Sequence, residues 1–291
     1  MRNTFRISTG LAALAVGGVL LAGAATPSAA SGTDHRASSA SGTAHAMSVR
    51  PGSAALAPKH DDRHSVRAGV GTSPTNRKAV VSSNNWAGMA AGGNKYQGVY
   101  ATWIQPKVTA TSANRYSCTW VGIDGANNKN LIQTGTEADS VGGKTRYYAW
   151  MEILPASQSI ITYSNGTPVP VAPGDSMIAE VVQTATPGVW TVYLKDVTQN
   201  WYLNQNYYYS GAGASAEWIQ EATQVGGVVG PPAAFSTVTF NNLEMAYGGK
   251  WYYTNMTAAN GWEIVQGSHV WAYPTTPMGA SPQHFSVVYN G

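Results

Sequence analysis

The sequence predicts an all-β protein, a sandwich or barrel of antiparallel sheets, on three observations. Tyr (16) and Trp (10) are abundant and join Val, Ile and Thr, the residue types that suit a pleated, half-buried strand. Gly (32) and Pro (15) recur between short apolar runs, as turns do. No segment carries the 3.6-residue periodicity of an amphipathic helix, so many short strands must pack sheet against sheet.

Taken in order, the chain opens with Arg2 and Arg6, then an apolar run from Ile7 to Ala25 and small residues at Ser28, Ala29 and Ala30. This is the pattern of a secretory signal peptide over residues 1–30, cleaved near Ala30. A retained membrane anchor is the competing reading. No later run is apolar for 18 residues, so no membrane contact is expected after signal removal. The expected location is secreted and extracellular.

Residues 31–79 are rich in Ser, Ala, Gly, Thr and His and lack apolar periodicity. Such a segment cannot bury enough surface to fold alone and reads as a disordered propeptide. It carries seven Lys and Arg against three Asp, a balance of +4, whereas residues 80–291 carry eight against eleven acids, a balance of −3. The folded part is mildly acidic and shows no basic patch, which argues against nucleic acid as partner. The boundary falls near Lys78, leaving 80–291 as the folded domain. Within it, strands are expected at 100–105, 118–123, 130–134, 146–153, 159–164, 177–183, 189–195, 207–210, 216–219, 237–240, 250–254 and 285–289. Asn165-Gly166, Pro173-Gly174-Asp175, Pro187-Gly188 and Gly248-Gly249 mark turns between them.

Composition narrows the chemistry. The one cysteine, Cys118, forms no internal disulfide and reads as a small buried hydrophobe. His269 and His284 are the only histidines of the folded part and lack metal-ligand spacing, so neither a metal nor a cofactor is expected. There is no Gly-x-Ser-x-Gly elbow and no Gly-rich phosphate loop. Amides and carboxylates on strands remain. Alternation puts Trp120 and Asp124 on one face of their strand, Tyr148, Trp150 and Glu152 on one face of theirs, and Glu217, Ile219 and Glu221 on one face of a third. By alternation alone, a solvent-facing sheet surface explains this equally well. Gln133, in Leu131-Ile132-Gln133-Thr134-Gly135-Thr136-Glu137, adds an uncharged amide inside an apolar run.

Several of these segments, in order, resemble the glutamic peptidases, or eqolisins. They are Ser83-Asn84-Asn85-Trp86-Ala87-Gly88, Trp120-Val121-Gly122-Ile123-Asp124-Gly125, Leu131-Ile132-Gln133-Thr134-Gly135, Tyr148-Ala149-Trp150-Met151-Glu152-Ile153-Leu154-Pro155 and Glu217-Trp218-Ile219-Gln220-Glu221. The resemblance covers roughly Val80 to the C-terminus. It implies a concanavalin-like β-sandwich of two bent antiparallel sheets with substrate on the concave face. It makes Gln133 and Glu221 the catalytic pair, with Glu217 not catalytic. Trp86, Trp120 and Trp150 would line the cleft, and Asp124, Glu137 and Glu152 would be supporting acids. The chain departs from the family in lacking disulfides, in having Ile153-Leu154 where an aromatic pair precedes the proline, and in having Ala222 after Glu221.

The activity implied is a secreted acid endopeptidase, a monomer acting on polypeptide substrates, with its own propeptide as inhibitor. Glu221 would take a proton from water and Gln133 would stabilise the oxyanion. The rival readings are a β-sandwich glycoside hydrolase using Glu217 and Glu152, and a lectin-like module stacking sugars on its Trp residues.

Overall fold

In a computed structural model the protein is described at residues 28–29, 45–51, 80–254, 260–275 and 283–291. Twenty strands occur there: β1 (Ser28–Ala29), β2 (His45–Pro51), β3 (Val81–Ser83), β4 (Trp86–Gly92), β5 (Tyr96–Ile104), β6 (Cys118–Ile123), β7 (Ile132–Val141), β8 (Lys144–Ile153), β9 (Ser159–Tyr163), β10 (Ser176–Gln183), β11 (Val189–Asp196), β12 (Trp201–Tyr208), β13 (Ser215–Glu221), β14 (Gln224–Val225), β15 (Val228–Val229), β16 (Val238–Tyr247), β17 (Lys250–Tyr253), β18 (Gly261–Gln266), β19 (His269–Pro274) and β20 (His284–Tyr289). No helix among these residues is long and apolar enough to cross a membrane.

Burial follows the strand period. Along β11, Trp190, Val192 and Leu194 are buried while Val189, Thr191, Tyr193 and Lys195 are only partly covered. β6 and β13 are buried on both faces. One face meets the core and the other faces a second cluster around Trp86, Trp120 and Trp150.

The expectation of two separate sheets is corrected. β14 and β15 form a small sheet, and the other 18 strands form one continuous sheet. From β9 the pairings run through β8, β7, β6, β13, β4 and β18. They continue through β19 and β20 to β16, and then through β5, β10 and β11 to β12. β2 pairs with both β12 and β9 and closes the circuit. The physical reason is that β18, β19 and β20 carry the ladder round a corner instead of leaving two edges.

The core lies between the halves of this circuit. Met89, Val121, Ile123, Ile132 and Met151 come from one half, and Val99, Trp103, Val181, Leu194 and Phe240 from the other. Each such buried side chain contributes roughly 1.5–3 kcal/mol. The Trp218 indole N–H of β13 donates to the Tyr100 carbonyl of β5 at 2.9 Å, tying the halves together.

Residues 45–51 also correct the reading of 31–79 as wholly disordered. Within it, His45–Pro51 forms a strand on the ladders of β9 and β12. Ser28–Ala29 likewise pairs with β17. The rest of the expected signal peptide and the boundary near Lys78 lie outside the described residues.

Candidate active site

Directly opposite residues of paired strands project from one face, so register alone assembles the site. Glu152 of β8, Gln133 of β7, Gly122 of β6, Glu217 of β13 and Ala90 of β4 form one row. Trp150, Gly135, Trp120, Ile219 and Gly88 form the next, and Tyr148, Glu137, Cys118, Glu221 and Trp86 the third. Gln133 and Glu221 therefore share a face, two strands and four residues apart, with Trp120 between them. Strand geometry makes that about 10 Å across the strands and about 13 Å along them.

Two glycines of the middle row make room for this floor. A Cβ on Gly135 would lie 2.2 Å from the Thr119 carbonyl oxygen and 2.6 Å from the Trp120 Cβ. One on Gly88, at φ +151°, would lie 2.2 Å from the Trp218 carbonyl oxygen. Trp86 meets Trp120 edge-on, with centroids 5.0 Å apart, and Trp262 at 5.7 Å.

Each member of the pair has its own orienting partners. Gln133 Nε2 donates to Glu152 Oε2 at 2.7 Å, while its buried Oε1 has no hydrogen-bond partner. A carboxylate only accepts, so Glu152 turns the Gln133 amine towards itself. That leaves Oε1 and the second N–H for a ligand. Glu221 accepts from Asn85 Nδ2 on Oε1 and from the Trp120 indole N–H on Oε2, both at 2.9 Å. The Cys118 thiol lies 3.9 Å from Oε2. Gln133, Glu152, Trp120 and Glu221 are all buried, with Glu221 only 1% exposed.

The remaining acids divide. Glu137 accepts from the Thr223 hydroxyl at 2.6 Å, and the same hydroxyl lies 3.4 Å from Cys118 Sγ. Burial first, and then the charge of Asp139, pushes the Glu137 carboxyl well above the usual carboxylate range. Burial likewise pushes Glu217 well up, and neither of its oxygens has a partner of ordinary geometry. The Cys118 thiol is pushed up by burial and then by the nearby carboxyls of Glu137 and Glu221. Cys118 is thus buried, as expected, but it touches the site.

Asp124 does other work. Sitting at φ 71°, it accepts from the Tyr209 hydroxyl and from the amides of Gly213 and Ala214 at 2.7–2.9 Å, and from Asn128 at 2.7 Å. It clamps the loops at the end of β6. The structure brings Glu152 to Gln133 and Glu137 to the row of Glu221, and it places Trp86, Trp120 and Trp150 in one cluster. Sequence reasoning missed Asn85, Thr223, Asp139 and Trp262. Asn85 lies inside the quoted Ser83–Gly88 segment, and the others carry no local signal.

Comparison with known proteins supplies context. The profile of the peptidase A4 family matches residues 84–287. Aspergillopepsin-2 of Aspergillus niger is 30% identical over 193 residues, which is 57% of this chain and 66% of that protein. The chain therefore spans just under two thirds of that relative's length. Scytalido-glutamic peptidase with a transition state analog inhibitor is similar in fold, with a TM-score of 0.58, 21% identity, and coverage of 71% of this chain and 98% of that one. SCP-B, a member of the eqolisin family, gives 0.52 and 18% over the same shares.

Proposed function

The chain belongs to the peptidase A4 family, the glutamic peptidases, and from that premise we propose that it is a secreted acid endopeptidase working through Gln133 and Glu221. The observation that carries the reading is the placement of an amide and a carboxylate on one face, either side of Trp120, each oriented by partners of its own.

In the proposed reaction a water lies between Gln133 Oε1 and the Glu221 carboxylate. Glu221 takes one of its protons as the water oxygen bonds to the scissile carbonyl carbon. The Gln133 N–H that Glu152 leaves unused donates to the oxyanion, a fixed dipole placed where charge develops. The C–N bond then breaks, and the proton held by Glu221 passes to the departing amine. Atoms balance, and Glu221 returns to its carboxylate form.

Burial of the pair in the full chain supports a covered site that must open before a polypeptide enters. Residues 31–79 act in this reading as an inhibitory propeptide, drawn partly by their +4 balance to a domain of −3. The mature enzyme is a monomer. Sugar-cleaving and sugar-binding readings gain no support from the family match.

The test is Gln133→Ala and Glu221→Ala, assayed on denatured protein and on polysaccharide at acid pH. Loss of protein cleavage in both variants, with circular dichroism unchanged, is expected. Activity should survive chelators and reagents for serine and thiols. Turnover like the wild type in either variant would refute the assignment.

A further inference from the structure

β2 lies outside residues 84–287, the span matched by the family, yet it is built into the sheet. It pairs antiparallel with β9 over five residues: Met47 with Tyr163, Ser48 with Thr162, Val49 with Ile161, Arg50 with Ile160 and Pro51 with Ser159. Its first two residues pair in parallel with β12, His45 with Trp201 and Ala46 with Tyr202. Pro51 has no N–H to give and stands where the ladder stops. Among the described residues no other strand pairs with these edges of β9 and β12. Taking β2 away therefore opens a seam with an unpaired edge on each side, the arrangement that accepts any extended chain.

The seam adjoins the candidate site. Arg50, Ile160 and Trp150 are in register across β2, β9 and β8, as are Pro51, Ser159 and Met151. The next residue of β8, Glu152, holds Gln133. Backbone pairing supplies affinity without reading side chains, so the ligand class that fits is an extended polypeptide.

We propose that the seam between β9 and β12 is a docking site for an extended polypeptide strand, occupied in the full chain by its own His45–Pro51 segment. Withdrawal of that strand opens a pairing edge beside the Glu152 end of the site. Because main-chain hydrogen bonds hold it, docking persists in high salt and at acid pH, where attraction between the charged extension and the domain fades.

The test uses the full chain and reads structure, so it is independent of whether Gln133 and Glu221 are the catalytic pair. Ser48→Cys with Thr162→Cys places two thiols directly opposite, within disulfide reach. Cys118 is fully buried and does not compete. Oxidation should crosslink this pair efficiently and Ser48→Cys with Ile160→Cys poorly, because Ile160 faces Arg50. Separately, Val49→Pro should cost β9 and the start of β12 their amide-exchange protection. A synthetic peptide of residues 45–51 should restore it at both neutral and acid pH and in high salt. Equal crosslinking of the two pairs would overturn the docking register. Unchanged exchange in Val49→Pro, or no restoration by the peptide, would overturn the docking site. The crosslink decides the matter should Val49→Pro fail to fold.

Discussion

Raising the pH from about 4 to about 8 should weaken the fold, and Asp196 gives the size of the effect. Its carboxyl is raised from 3.8 to about 7, by burial first and by the neighbouring Asp175. The Gln199 amide, donating at 2.8 Å, offsets part of this. A carboxyl whose folded pKa exceeds its unfolded value binds its proton more tightly in the native state. Stability is then fully present below about pH 4 and is lost as pH rises towards 7. A shift of about 3 units corresponds to about 4 kcal/mol. Because burial supplies only part of the shift and the Gln199 amide already offsets some of it, a loss of about 2–4 kcal/mol is expected. For a domain of this size that is roughly 5–15 °C in Tm. The assay is thermal unfolding from about pH 3 to 8, for wild type and Asp196→Asn. An Asn side chain does not titrate in this range, so the variant should lose much of this slope. Stability that climbs between pH 4 and 7, or an Asp196→Asn profile identical to wild type, would refute the reasoning.

Glu152→Ala removes the acceptor that orients Gln133. It should lower kcat by roughly 10- to 100-fold with little change in KM, as loss of a charged hydrogen bond of about 1.5–3 kcal/mol implies, and steady-state kinetics on a peptide reads this split. Glu217→Gln replaces a carboxyl whose pKa burial pushes well above the usual carboxylate range. Activity should stay near wild type at acid pH, and melting should show less loss of stability towards neutral pH. Gly135→Ala drives a methyl to 2.2 Å from the Thr119 carbonyl oxygen. It should cost about 1–3 kcal/mol or more in denaturant unfolding and displace Trp120, seen as altered indole fluorescence.

The fold class was legible because β10 and β11 alternate cleanly and turns separate them. β4 was not, since Trp-Ala-Gly-Met-Ala-Ala-Gly is poor in strand-forming residues and is held by its pairing with β13. β7 runs on to Val141, past the expected Thr134, because Glu137 and Asp139 look like loop residues in sequence, whereas in the fold both are buried and Glu137 accepts from the Thr223 hydroxyl. Expected strand 207–210 only half overlaps β12, which runs from Trp201 to Tyr208. In the site, alternation correctly grouped Tyr148 with Trp150 and Glu152, and Glu217 with Glu221. It could not bring the two groups together, because that depends on which strand lies beside which. Asn85 meets Glu221 across a sequence separation of 136 residues, so no local pattern could announce it.

The order of strands also sets when the proposed pair can form. Glu221 reaches the face of Gln133 only through the pairing of β13 with β6, some hundred residues earlier, and β13 is flanked on its other side by β4, earlier still. Such distant pairings pay their loop-closure entropy before any contact repays it, so the chain should fold slowly and late. A ribosome-bound chain that has not yet delivered β13 holds the amide without the carboxylate. Topology thereby delays assembly of the proposed pair until β13 has been made and has paired with β6.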